Sequence, residues 1–353
     1  MGKDHKLEGL QAARAIAALS VAYYHSYMSV RWVFPDAARH PIPFLTDWGH
    51  MGVDFFFAIS GYVICLVVAK SSFTLRSFFI KRFFRLYPLY WTAMAIVAVM
   101  IWYGKHPDPV TPGQYFYSLT LLPQHGLPAY SVSWTLEREL VFYALAAITI
   151  PLVGVLGLAA VLAALAWAGY TYHNPWSCHL VSTYQADFLA GVLVFMLSKY
   201  VRMVPLAARI MPPLAWFALV GGIVGLVSLW LVPAKLFPFA TTICLGFMLL
   251  GMVHINVPWT HPSLHWLVKV GDASYSIYLL HGIILFYAAW LGLQINHLPD
   301  WLCEVWRFAA LAVSCLVSTL TWRTIETPFI ALGNRLADRS RIPAPGPAVA
   351  VSG

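Results

Sequence analysis

Apolar residues along this chain do not alternate with polar ones. They gather into runs of about twenty, separated by short stretches rich in Lys, Arg, Gly and Pro. A helix rising about 1.5 Å per residue covers a hydrocarbon core roughly 30 Å thick with a run of that length. Lipid offers no partner to backbone N–H and C=O groups, so such segments read as helices rather than barrel strands. Ten spans are predicted, at about 10–30, 51–70, 84–103, 132–150, 152–170, 181–199, 213–232, 236–255, 273–292 and 303–323, with a tight turn at Pro151. The fold class is therefore all-α and polytopic, and ten spans place both termini on one side. No internal repeat, soluble domain or linker breaks the pattern. Residues 1–335 read as one membrane domain, and 336–353, ending in a Pro/Ala/Gly-rich stretch, as a disordered tail.

Composition sharpens this picture. Hydrophobic residues make up 60% of the 353 and charged residues 10%, against about 25% charged in soluble domains. The net charge of +8 sits in short loops between apolar runs, so it implies topology rather than a nucleic-acid partner. With the N-terminus in the cytoplasm, only Arg31, Arg39, Lys105, Lys235 and Arg307 fall on the outer side, which fixes the orientation. Lys3 and Lys6 precede an apolar stretch that Arg14 interrupts, so the first helix is expected to stay uncleaved. Among the five cysteines, Cys65, Cys244 and Cys315 lie inside apolar runs as small core residues. Cys178 and Cys303 fall in outer loops, where a disulfide is conceivable.

An ionisable residue inside a bilayer costs about 2.5–3.5 kcal/mol on insertion scales, so it marks a functional candidate. Arg14 and His25 stand eleven residues apart in the first span, on one helical face and about 16 Å apart along the axis. That arrangement suits a long anionic substrate threaded through the membrane; the plainer alternative is a snorkelling arginine and a hydrogen-bonded core histidine. Arg82 and Arg85, three apart, share a face and offer planar forks to phosphate, although a basic cluster there also serves topology. Glu137, Arg138 and Glu139 follow Trp134, with Glu139 deeper beside Phe142 and Tyr143. A carboxylate at the depth of His25 could orient its imidazole or grip a hydroxyl substrate, and Asp54 stands at similar depth, unless it serves the helix start. His281 lies midway along the ninth span. His261 and His265 lack an acidic neighbour, so no metal site is expected. Serine-hydrolase, nucleotide-hydrolase and zincin motifs are absent from the sequence.

Together these stretches resemble the membrane-bound acyltransferase-3 family, in the stand-alone form tied to exopolysaccharide modification. The likeness rests on six short motifs in order: Leu7 through Arg14 to His25; Gly52 to Tyr62; Arg82, Arg85, Tyr87 and Pro88; Trp134, Thr135, Leu136, Glu139, Phe142 and Tyr143; Ser274 to His281; and Glu326 to Pro328. Glu8, Gln11 and the Glu137-Arg138 pair depart from the more usual residues. The resemblance implies a multi-pass bacterial inner-membrane enzyme that transfers an acyl group, acetyl above all, from acyl-CoA to a hydroxyl of a glycan or lipid-linked saccharide. Acetyl-CoA would be a donor substrate, with no permanently bound cofactor. Arg14, Arg82 and Arg85 would hold the donor phosphates, and His25 would act as general base or as nucleophile. Glu139 would orient the histidine or grip the sugar, and Asp54, Trp134, Tyr143 and His281 would line the substrate site. A secondary transporter or flippase of a glycolipid or small anion is the alternative, and a structural scaffold explains the buried charges least well.

Overall fold

The computed structural model describes residues 3–33, 42–172, 178–292 and 299–339, and all regular structure among them is helical. In chain order the α-helices are α1 (Lys3–Val33), α2 (Pro43–Trp48), α3 (Gly52–Val68), α4 (Leu75–Trp102), α5 (Pro112–Ser118), α6 (Trp134–Thr171) and α7 (Gln185–Met203). They continue as α8 (Pro205–Val227), α9 (Phe237–His254), α10 (Pro262–Asp272), α11 (Ser274–Gly292), α12 (Asp300–Thr321) and α13 (Thr327–Arg339). Every predicted span falls on one of these helices. Seven helical stretches among the described residues are long and apolar enough to cross a membrane. α1 and α7 fall outside that set; α7 carries Asp187, Lys199 and Arg202.

α1 is the central element, packed against α3, α9, α10, α11 and α12. Ala12, Ala13, Ala17, Ala18 and Ala22 are wholly buried along it. Lipid tails are as apolar as the helices, so association in a membrane relies on close packing, which small residues permit. The same logic governs the α3–α7 crossing. A Cβ at Gly191 would stand 1.9 Å from the Ala58 carbonyl oxygen, and one at Gly61 would stand 2.1 Å from that of Phe188.

The sequence places a tight turn at Pro151, but α6 runs on through it and breaks at Gly154, whose φ of 75° belongs to the left-handed region. At about 1.5 Å per residue, 38 residues reach about 57 Å, nearly twice a hydrocarbon core, so a break is required. Pro151 can remain helical because one missing N–H costs a single ladder bond, whereas Gly154 alone adopts the reversed dihedral without strain. α4 starts at Leu75, with Thr74 Oγ1 capping the Ser77 amide at 3.3 Å, so Lys81, Arg82 and Arg85 ride on its early turns rather than in a loop. α12 passes through a π-helical turn, Trp322–Glu326, into α13, which extends helix to Arg339. Residues 340–353 of the expected tail, and Arg39, lie outside the described residues.

Replacing Gly191 with Leu should abolish a stable α3–α7 crossing, read as loss of monodisperse protein in detergent or a lowered thermal midpoint. Gly221→Leu, at a position with nothing within 4 Å of an added Cβ, should leave both unchanged.

Candidate functional site

Arg14 from α1, Arg82 and Arg85 from α4, Glu139 and Tyr143 from α6, and Ser60 from α3 line one cavity of about 210 Å³. The i, i+3 spacing sets Arg82 and Arg85 on one face of α4, and the Gly/Ala crossings of α1 and α3 bring the other side chains up to them. Each guanidinium carries five N–H donors. Among the described residues none of these three arginines makes a hydrogen bond or ion pair with a protein acceptor. Arg82 instead lies over the rings of Phe78 and Tyr143, 5.6 and 5.0 Å from their centroids. Arg14 feels the charges of Arg85, Glu326 and Glu139 through space. Glu326, almost wholly buried at the end of the π turn, accepts 2.7 Å from Ser276 Oγ and stands behind the arginines as a counter-charge. Guanidinium N–H groups left without a protein acceptor in such a chamber can take an anion.

His25 lies in a second cavity of about 300 Å³, with Tyr24, His50, Asp54, Ser131, Trp134, Tyr184 and Tyr278 around it. Val53 and Tyr278 line both cavities, so one wall divides them. Tyr278 is locked in that wall by Thr135 Oγ1 at 2.9 Å and the Val132 carbonyl at 3.2 Å. His25 Nδ1 sits 2.9 Å from the Val21 carbonyl. A carbonyl only accepts, so Nδ1 carries the proton and Nε2 keeps its lone pair. Fully buried His281 is fixed the same way: its Nδ1–H donates to the Tyr278 carbonyl at 2.5 Å, which leaves its Nε2 as an acceptor 3.2 Å from His25 Nδ1. The two rings, with centroids 4.9 Å apart, form a directed pair whose available basic atom is His25 Nε2.

Arg14, Arg82 and Arg85 are thus brought together, as are His25, Asp54, Trp134 and His281. Glu139 lies beside Tyr143, as the sequence reading has it, but not beside His25. Glu139 Oε1 accepts from Ser60 Oγ at 2.6 Å and from the Tyr143 hydroxyl, and both side chains face the arginine chamber. The imidazole of His25 is oriented by Val21 and His281, not by Glu139, because the five residues from Trp134 to Glu139 descend about 7.5 Å toward the arginines. Glu137 does not pair only with its neighbour Arg138. Wholly buried, it takes 2.9 Å from His179 Nε2 and 2.6 Å from Gln124 Nε2, while Arg138 donates to Ser182 Oγ at 3.1 Å and covers the Trp134 and Tyr184 rings. Arg307, read as an outer charge, is 1% exposed on α12 and bonds Glu304 and the Tyr23 hydroxyl. His261 caps α10 by accepting from the Ser263 amide. Outside the spans, Asp272 accepts 2.6 Å from Gln11 Nε2 and ties α10 to α1; burial raises its carboxyl above the ordinary range, against the opposing pull of Arg14. Ser60, Tyr278 and Tyr184 were missed as site residues, although Ser60 and Tyr278 stand inside the quoted motifs.

Residues 7–323 match the family model described as an acyltransferase domain, the acyltransferase-3 family. The exopolysaccharide production protein ExoZ of Rhizobium meliloti (strain 1021) is 28% identical over 308 residues, covering 81% of this chain and 90% of that protein. Protein 2 in picA locus of Rhizobium radiobacter is 29% identical over 157 residues, covering 37% of this chain and 76% of that protein. No solved structure matches the chain.

The two glutamates of α6 should separate cleanly by stability. Glu137→Ala strands His179 and Gln124 without their acceptor, a loss of about 3–5 kcal/mol for a broken buried pair, read as a collapsed thermal midpoint. Glu139→Ala, facing a cavity, should fold with a midpoint near that of the parent protein.

Proposed function

Because the chain belongs to the acyltransferase-3 family, we propose that it transfers an acyl group from an acyl-CoA to a hydroxyl of a cell-surface saccharide, free or lipid-linked, within a bacterial plasma membrane. The observation that carries this reading is the pairing of cavities: three unengaged arginine forks on one side of the Val53–Tyr278 wall, and an oriented histidine lone pair on the other. Arg14, Arg82 and Arg85 hold the donor's phosphates as charge-assisted forks. From Arg14 to His25 is about 16 Å along α1, a span for the pantetheine arm. Its thioester then stands at the wall, near His25 Nε2.

The second cavity supports a saccharide acceptor. Tyr24, Trp134, Tyr184 and Tyr278 offer apolar faces with polar rims, and Asp54, His50 and Ser131 offer groups for hydroxyls. A relative named for exopolysaccharide production is consistent with such an acceptor, and acetyl is the acyl group the motif resemblance favours. His25 Nε2 takes the acceptor proton as the hydroxyl oxygen attacks the thioester carbon. The imidazolium proton on Nδ1 is held between Val21 and His281, and the proton on Nε2 passes to the departing thiolate. Glu139 and Glu326 act on the arginine chamber through space, as counter-charges to Arg14. Both termini lie in the cytoplasm, and the chain crosses ten times.

Purified protein in nanodiscs with acyl-labelled acetyl-CoA and a saccharide acceptor should place label on the acceptor and release free CoA. His25→Ala should abolish both while donor binding persists; normal transfer by that variant would remove His25 from the chemistry. Arg82→Ala or Arg85→Ala should each weaken donor binding about 10–100-fold, the equivalent of about 1.5–3 kcal/mol for lost charged hydrogen bonds. An unaltered donor Kd would exclude them. His281→Ala should lower kcat at least about tenfold with little change in donor KM, a fraction of the 10²–10⁴ that a positioned base contributes.

A further inference from the structure

His25 belongs to the wall of a third cavity, of about 220 Å³, which none of the three arginines lines. Its lining is more aliphatic than that of the aromatic cleft. Val97 and Met100 from α4 and Ile283, Phe286 and Ala289 from α11 make most of it apolar, beside the polar Ser29, His106 and Asp108. Ser131, Val132 and His25 separate it from the cleft, since those residues line both.

We propose that this cavity receives the acyl chain of the donor and admits aliphatic acyl groups longer than acetyl; the inference rests on the acyl-transfer reading above. A thioester carbon carries three substituents, and attack adds a fourth. Sulfur arrives from the arginine chamber past Tyr278, and the acceptor oxygen arrives from the aromatic cleft. The carbonyl oxygen needs only the space of one atom. The remaining substituent, the acyl chain, is the apolar one, and the apolar cavity is the space that His25 shares with neither the sulfur path nor the acceptor.

Size points the same way. A site for one water-sized group needs roughly 10–15 Å³ by this kind of measure, so a methyl group would leave most of 220 Å³ unfilled. An empty apolar space forfeits dispersion contacts along its whole lining. Gly282 keeps the entrance open beside His281: a Cβ there would stand 2.9 Å from Val132 Cγ2 and 3.0 Å from the Tyr130 hydroxyl, both on this cavity's wall. The Tyr130 hydroxyl is turned aside by donating to the Leu279 carbonyl. The reaction is otherwise that already written: the C–S bond breaks, the ester C–O bond forms, and the hydroxyl proton travels by His25 Nε2 to the CoA thiolate.

The test compares acetyl-, butanoyl- and hexanoyl-CoA as donors to one saccharide acceptor, with CoA release and acylated product both measured. The protein is assayed in nanodiscs as the parent chain, as Ala289→Leu, which narrows the cavity, and as Met100→Ala, which widens it. Size-exclusion profile and thermal midpoint certify that each variant is folded. The parent should use hexanoyl-CoA with kcat/KM within about tenfold of acetyl-CoA. Ala289→Leu should lower the hexanoyl-to-acetyl ratio tenfold or more, and Met100→Ala should raise it. A parent protein that transfers acetyl but neither longer chain overturns the acyl pocket and leaves the transferase standing. So does a ratio within twofold of the parent in both variants. No turnover of any donor removes the pocket and the transferase together.

Discussion

A charge held inside an apolar helix bundle must meet a counter-charge, a ring face or a ligand, and that demand sorts the ionic residues of this protein. Burying an ion costs several kcal/mol even after relaxation, so an unengaged one is tolerated only where water or a substrate reaches it. Glu137 meets His179 and Gln124, and Arg307 meets Glu304 and Tyr23. Arg138 meets Ser182 and two aromatic faces. Those groups fasten helices together. Arg14, Arg82 and Arg85 share one cavity, and among the described residues their N–H groups meet no protein acceptor, although Arg82 also covers the Phe78 and Tyr143 rings. The difference between a fastening and a site is therefore visible in what each fork touches, not in how deeply it lies.

The same constraint explains the division of space. If arginines and histidine shared one wet cavity, three cations would stand beside the base, and water would compete with the acceptor for the thioester. Val53 and Tyr278 line both cavities, and in the proposed reaction they would keep the charged end of a donor apart from the reacting end. Tyr278 can serve in that wall because its hydroxyl is spent on Thr135 and Val132, leaving its ring to pack against both sides.

Much of this was legible in the sequence, for a physical reason. Lipid forces every spanning backbone to satisfy itself, so the apolar runs translate directly into helices, and all ten predicted segments are helical. The i, i+3 pair Arg82 and Arg85 and the eleven-residue step from Arg14 to His25 carry their own geometry, so those residues were found. What failed depended on neighbours. Glu139 was matched to His25 by depth alone, and depth does not say which face of α6 turns toward which helix; Ser60 of α3 claims it instead, together with Tyr143, the neighbour its own face supplied. The break in α6 was assigned to Pro151, the stronger sequence signal, while Gly154 takes the dihedral that only glycine adopts freely. The short helices α2, α5, α10 and α13 carry too few apolar residues to stand out beside spans, and Arg307 reads as an outer charge until Tyr23 is seen beneath it.

In the proposed reaction the partner of His25 is a histidine, His281, rather than a carboxylate. A carboxylate 3 Å from the imidazole would stabilise its protonated form strongly, but it would also bury a permanent negative charge in the resting bundle. His281 offers a lone pair from a neutral ring. Its Nδ1–H is committed to the Tyr278 carbonyl one turn back, so only Nε2 can face His25. The resting pair carries no net charge and needs no counter-ion. When His25 Nε2 takes a proton, the charge spreads over its ring, and Nδ1–H finds two acceptors already aimed at it, the Val21 carbonyl and His281 Nε2. Both contacts already exist in the resting pair; in the proposed reaction they strengthen as positive charge develops on the ring, and only that increment speeds a reaction rather than merely holding its reactants.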